Sequence, residues 1–129
     1  METDLSAPAN SLQFPPYLYG LHDIGGHDRM LSASRAGWVL DSVDLHSQAG
    51  TDYTSLARSG LGVMVRFHYN GEPLPRPDQF AEFAARCGAY AKNSAGARVW
   101  IIGDALNKRA GGPTREIISP MQYAQGFRQ

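Results

Sequence analysis

Histidines and aspartates recur in this sequence just after short apolar runs. His22 and Asp23 follow the run at 17–21, and Asp44 and His46 follow the run at 37–43. His68, Tyr69 and Asn70 close the run that begins at Gly62, and Asp104, with Asn107 nearby, follows the run at 98–103. His27 and Asp28 lie in the first exit loop, behind Gly25 and Gly26. Such groups support three kinds of chemistry. Paired carboxylates can act as acid, base or nucleophile in hydrolysis. A His/Asp cluster drawn from His22, Asp23, His27, Asp28, His46, His68 and Asp104 can hold a metal ion. Mixed donors and acceptors beside an aromatic ring, here Tyr69, can bind a sugar. The plain alternative is that polar residues collect at strand ends in any soluble α/β protein.

Arg66 stands inside an apolar run, Val63–Phe67. Burying a guanidinium is costly unless a carboxylate pairs with it. Asp41 or Asp104, on neighbouring strands, is the expected partner. Otherwise Arg66 points outward, with its stem packed under a helix.

These groups need a frame. The runs at 62–68 and 98–103 are rich in β-branched and aromatic residues, which suit strands. Nearly continuous apolar runs fit parallel strands covered on both faces. Helical patterns lie between them. Phe80, Phe83, Ala84, Cys87, Tyr90 and Ala91 form one apolar stripe within 76–94, with Pro77 and Asp78 at its start. Residues 51–59 give a shorter helix and 27–36 another. A last helix starts at Ser119-Pro120, where Gln122 completes a capping-box spacing. Met121, Ala124 and either Tyr123 or Phe127 should face inward. The order β-α-β-α-β-α-β-α predicts a parallel sheet, entered at its C-terminal strand ends.

Composition narrows the function. Twelve basic and twelve acidic residues cancel, so there is no electrostatic footprint for nucleic acid or an anionic membrane. No stretch approaches the ~20 apolar residues of a spanning helix. The first sixteen residues lack an apolar signal core, so cytoplasmic location is expected. Cys87 is the only cysteine, which rules out an intrachain disulfide, and its place on the apolar stripe predicts an inert core thiol. The glycines form no dinucleotide or phosphate loop, and no serine sits in a nucleophile elbow. No cofactor is expected. Trp38 and Trp100 lie within strands and read as core.

The segment 99–107, VWIIGDALN, resembles the strand-four signature of retaining glycoside hydrolases with (β/α) barrels, W-x-I-G-N-E-x-N. YLYGLHDIGG, SGLGVMVRFHYNGEPLP and ISPMQYAQGFR resemble such barrels more loosely, so the likeness runs over most of 17–128. It implies that Trp100, Ile102, Gly103 and Asn107 match the pattern. Asp104 falls on the asparagine that contacts the sugar 2-hydroxyl, and Ala105 falls on the general acid/base glutamate. A methyl group moves no proton. In the family the nucleophile comes from strand seven, and retention needs two carboxylates about 5–5.5 Å apart.

The fold expected is therefore α/β. Residues 1–16 form a polar lead-in, and 17–129 form four β/α units, half of a TIM-type (β/α) eightfold barrel. Its open sheet edges invite self-association or a partner half barrel. The function expected is a non-catalytic carbohydrate-binding or assembly module. Asp104 is the one candidate catalytic group, and His22, Asp23, Asp44, Arg66, His68, Tyr69, Asn70 and Asn107 are the candidate sugar contacts. An active glycosidase completed by another chain, or a metal-dependent hydrolase built on the strand-end His/Asp residues, are the alternatives.

Overall fold

Alternation decides how the strands pack. In the run Gly62–His68 (β3), Val63, Val65 and Phe67 are at most 2% exposed, whereas Met64, Arg66 and His68 are only half-buried. One side of the strand therefore faces a core and the other faces an opening.

The computed structural model describes residue 15, residues 19–104 and residues 118–129. Gly20–Leu21 (β1), His27–Ser32 (α1), Trp38–Asp44 (β2) and Thr54–Arg58 (α2) precede β3. Phe80–Lys92 (α3), Val99–Ile102 (β4) and Pro120–Phe127 (α4) follow it. The four strands form one parallel sheet in the order β1-β2-β3-β4. Each strand lies beside its neighbour in sequence, and all four exits reach the same end of the sheet. This is the expected α/β arrangement. The lead-in, apart from Pro15, and residues 105–117 lie outside the described residues. Among the described residues no helix is long and apolar enough to cross a membrane.

The core lies on one face. Val39, Val43, Val63, Val65 and Phe67 meet Met30, Leu61, Phe80, Phe83 and Tyr90. Trp100 stacks on Phe67 with ring centres 5.5 Å apart. The α3 stripe packs as its spacing predicts, with Phe80, Phe83 and Tyr90 buried. Each buried phenylalanine contributes roughly 1.5–3 kcal/mol. Among the described residues, the groove on the opposite face is lined by strand and strand-end residues. Among the described residues, the expectation of strands covered on both faces is met on one face.

The last helix shows local and tertiary control side by side. Its capping box forms: the Ser119 hydroxyl accepts from the Gln122 N–H, and Gln122 Oε1 accepts from the Ser119 N–H at 2.8 Å. Its inward face meets the expectation at Tyr123 and departs from it at Met121. The Tyr123 hydroxyl donates to the Ile102 carbonyl, and Gly126 is buried against Phe80 and Leu74. Those anchors turn Met121 to solvent, 72% exposed; Phe127, one turn after Tyr123 and in contact with its ring, is exposed at the helix end. At about 3.6 residues per turn, Met121 cannot share a face with Tyr123 and Gly126.

Polar groups also enter the core. The Tyr53 hydroxyl donates to Asp41 Oδ2 at 2.6 Å and lies 2.8 Å from the Tyr90 hydroxyl, which donates to Thr51 Oγ1 at 2.8 Å. Tyr53 and Tyr90 are essentially inaccessible. Burial, with bonds to Asp41 and Tyr90, pushes the Tyr53 hydroxyl well above its ordinary pKa. Burial alone pushes the Cys87 thiol up to about 12, as befits an inert core group.

Both are acids that keep their proton more tightly when folded. Their contribution is complete below the ordinary values, about 8.5 for cysteine and about 10 for tyrosine. It is lost as pH rises beyond those values, because the unfolded chain then releases protons that the folded chain retains. Stability is expected to fall by up to about 1.4 kcal/mol per pH unit for each group. Urea unfolding from pH 8 to 11 measures the slope, and Cys87→Ala is expected to move its onset toward the tyrosine range.

Candidate functional site

Because the strands are parallel, register fixes which residues share a row. Trp38 pairs with Gly62, Leu40 with Met64 and then Val99, and Ser42 with Arg66 and then Ile101. These rows lie on the face opposite the core. They floor a groove of about 440 Å³ that reaches His22, Gly103 and Asp104 at the C-terminal strand ends.

Arg66 is the centre of its polar end. One of its nitrogens, Nη1, lies 3.3 Å from Asp104 Oδ1 and donates to His22 Nε2 at 3.4 Å. The other, Nη2, donates to Ser42 Oγ at 2.9 Å. A single guanidinium on β3 thus touches groups from β2 and from the exits of β1 and β4. The arginine side chain is 15% exposed, and its buried Nε has no acceptor among the described residues. The carboxylate partner is Asp104, not Asp41. Alternation puts Asp41 on the helix-covered face, where Tyr53 holds it.

Asp104 needs a device to reach the groove. Trp100 belongs to the core face, so strict alternation would send residues 102 and 104 there too. Gly103 breaks the alternation with φ at +89°, a left-handed conformation natural to glycine. The chain turns there and aims the Asp104 carboxylate at Arg66. Gly103→Ala is expected to cost about 1–2 kcal/mol in urea unfolding and to separate Asp104 from Arg66. Loss of the Arg66–Asp104 contact in the variant's crystal structure would check the second effect.

His68 stands at the edge of this cluster, with Nε2 4.0 Å from Asp104 Oδ2. Burial, and then the Arg66 charge, hold its pKa below the ordinary histidine value, against the pull of Asp104 and Asp44. The uncharged form of its ring is favoured accordingly.

Other residues expected at the site have different duties. Asp44 ties two strand exits together, accepting backbone N–H bonds from His46, Asn70 and Gly71. Burial works against its ionisation, but those bonds and the nearby His46 outweigh it and lower its pKa. Asn70 is exposed and joins the clamp through its backbone N–H. Asp23 accepts from the Gly25 N–H and caps the turn after β1. Tyr69 corrects the sugar-stacking expectation. Its residue is 5% exposed, and its ring packs edge-on against Phe83 under the Arg86 guanidinium. Residue 69 falls on the core side because residues 63, 65 and 67 do. Asn107 and Ala105 lie outside the described residues.

The metal alternative finds no cluster. His27 Nε2 lies 3.1 Å from Asp28, while its Nδ1 faces the Ile24 carbonyl. Among the described residues no three His, Cys, Asp or Glu side chains group to hold a metal ion.

Sequence reasoning passed over Trp38, Leu40, Ser42, Met64 and Ile101. A usable signal was present: counting by twos from Arg66 reaches Met64, and the register carries that face to β2 and β4. Trp38 was assigned to the core, but it lines the groove beside Gly62. Chemically the cluster offers a cation, a carboxylate, a hydroxyl and two imidazoles. These can hold a polyol through paired donors and acceptors. Of the carboxylates at the strand exits, Asp104 faces the groove while Asp44 and Asp23 are occupied by backbone N–H groups. Comparison with protein-family models, curated proteins and solved structures finds no significant match for this chain.

Proposed function

We propose that this chain is a glycoside-hydrolase-like half barrel that binds carbohydrate at its C-terminal strand ends without cleaving it. The observation that carries the reading is Arg66, which gathers Asp104, Ser42 and His22 beside an open groove. The sequential strand order and the one-sided core agree with half of a (β/α) barrel. The VWIIGDALN segment supplies the family likeness, and Ala105 leaves its acid/base role empty. Retention requires a second carboxylate about 5–5.5 Å from the first, and only Asp104 is directed at the groove from the described strand exits.

Titration of isotope-labelled protein with a panel of mono- and disaccharides tests this. Shifts are expected at His22, Ser42, Arg66 and Asp104, with no release of nitrophenol from aryl glycosides. Shifts confined to other surfaces would refute the site, and turnover by the chain alone would refute the non-catalytic reading.

A second reading is assembly. Tyr19 and Leu21 are exposed at the β1 edge, and Met121 and Phe127 are exposed on the helix beyond β4. These are the two flanks that a partner half barrel, or a second copy, would cover. Light scattering coupled to size exclusion distinguishes a monomer from such an assembly.

A further inference from the structure

The groove changes character along its length. Arg66, His22 and Asp104 occupy the C-terminal strand end. Behind them lie Met64, Leu40 and finally Trp38, while Ile101 stands level with Arg66. From the row of Ser42 and Arg66 back to the row of Trp38 and Gly62 is four residues of strand, about 13 Å at ~3.3 Å per residue. A monosaccharide held at Arg66 would leave most of that apolar length in water. The groove volume of about 440 Å³ falls in the usual range for small-molecule pockets, which combine apolar walls with a few orienting polar groups. Here the orienting groups all sit at one end.

We propose that the groove binds a glycoside with an alkyl aglycone: the sugar lies at Arg66 and Asp104, and the chain runs back along the strands over Met64 and Leu40 toward Trp38. The inference rests on the carbohydrate reading and adds the ligand class. A polar head at the strand ends satisfies the guanidinium and carboxylate, and the alkyl tail removes half-exposed apolar side chains from water. Length then matters in a countable way. Each added methylene should tighten binding about two- to four-fold until the tail reaches Trp38.

The test is a titration series with n-alkyl β-glucosides and β-galactosides, from methyl to octyl, below micelle-forming concentrations. Affinity is expected to rise at least about 100-fold from methyl to octyl. Met64→Gln and Leu40→Gln, which share the row behind Arg66 on the half-exposed face, are expected to shrink the gain per methylene and leave the methyl glycoside unchanged. Circular dichroism verifies that each variant is folded. Arg66→Met is expected to weaken every member of the series alike. Equal affinity for methyl and octyl glycosides would overturn the aglycone inference while leaving the carbohydrate reading intact. A chain-length gain that both Met64→Gln and Leu40→Gln leave untouched places the tail elsewhere and also overturns it. Binding of none of the series or of the saccharide panel removes both readings. If chain-length dependence disappears as light scattering reports a dimer, the face belongs to a second copy and the inference fails.

Discussion

Tyr53→Phe is expected to destabilise the fold by about 2–3 kcal/mol, a large share of a typical domain's 5–15 kcal/mol. The hydroxyl it removes serves two partners at once. It donates to the Asp41 carboxylate at 2.6 Å and contacts the Tyr90 hydroxyl at 2.8 Å. Removing it leaves a carboxylate short of its donor beside an apolar core, where an unmade bond to a charged group is expensive. Tyr90 retains its bond to Thr51, so that part of the network survives. Urea unfolding at pH 7 gives the loss directly, and the melting temperature should fall by roughly 10 °C. The double variant Asp41→Val with Tyr53→Phe is expected to lose less than the sum of the singles, since it removes donor and acceptor together. A loss under about 0.5 kcal/mol for Tyr53→Phe would mean that water satisfies Asp41. Saccharide binding should not change, because the network and the groove lie on opposite faces of the sheet.

Arg66→Met should do the reverse. Saccharide affinity is expected to fall at least about 30-fold, the equivalent of roughly 2 kcal/mol. The loss combines the direct contact with the freeing of His22, Ser42 and Asp104, which the guanidinium holds in place. Stability should move by less than about 1 kcal/mol, because the Asp104 partner is 42% exposed and such pairs contribute little. Arg66→Lys is expected to restore little, since an ammonium cannot reach three groups in the plane of a fork. Calorimetric titration with the best saccharide of the panel, alongside urea unfolding of the same variants, separates the two effects. Undiminished binding in Arg66→Met would move the site away from the strand ends.

Much of the local structure was legible in the residues. The run at 62–68 is β3 residue for residue, and the Ser119–Gln122 capping box forms as its spacing requires. These features depend on neighbours within one turn or one strand, so a short window of sequence contains their causes. The stripe of Phe80, Phe83 and Tyr90 belongs to the same class, because a helix repeats its face at known intervals. The replacement at position 105 is equally local: alanine carries no proton wherever the chain folds.

The assignment of side chains to faces required the third dimension. Arg66 had two candidate carboxylates, and sequence distance could not choose between them. Register puts Asp41 against Tyr53 on the covered face, and the left-handed turn at Gly103 delivers Asp104 to the open one. Tyr69 was a plausible sugar platform at a strand end, yet strand parity buries it beside Phe83. Met121 looked like a core residue until Tyr123 and Gly126 fixed the rotation of its helix. Trp38 moved from presumed core to groove wall for the same reason. By itself the sequence determined that four parallel strands would present polar groups at one end, because periodicity and strand-end chemistry are properties of short segments. Only the tertiary structure decided which of those groups meet around Arg66, because a strand alternates its faces at every residue and one turn at Gly103 reverses the count.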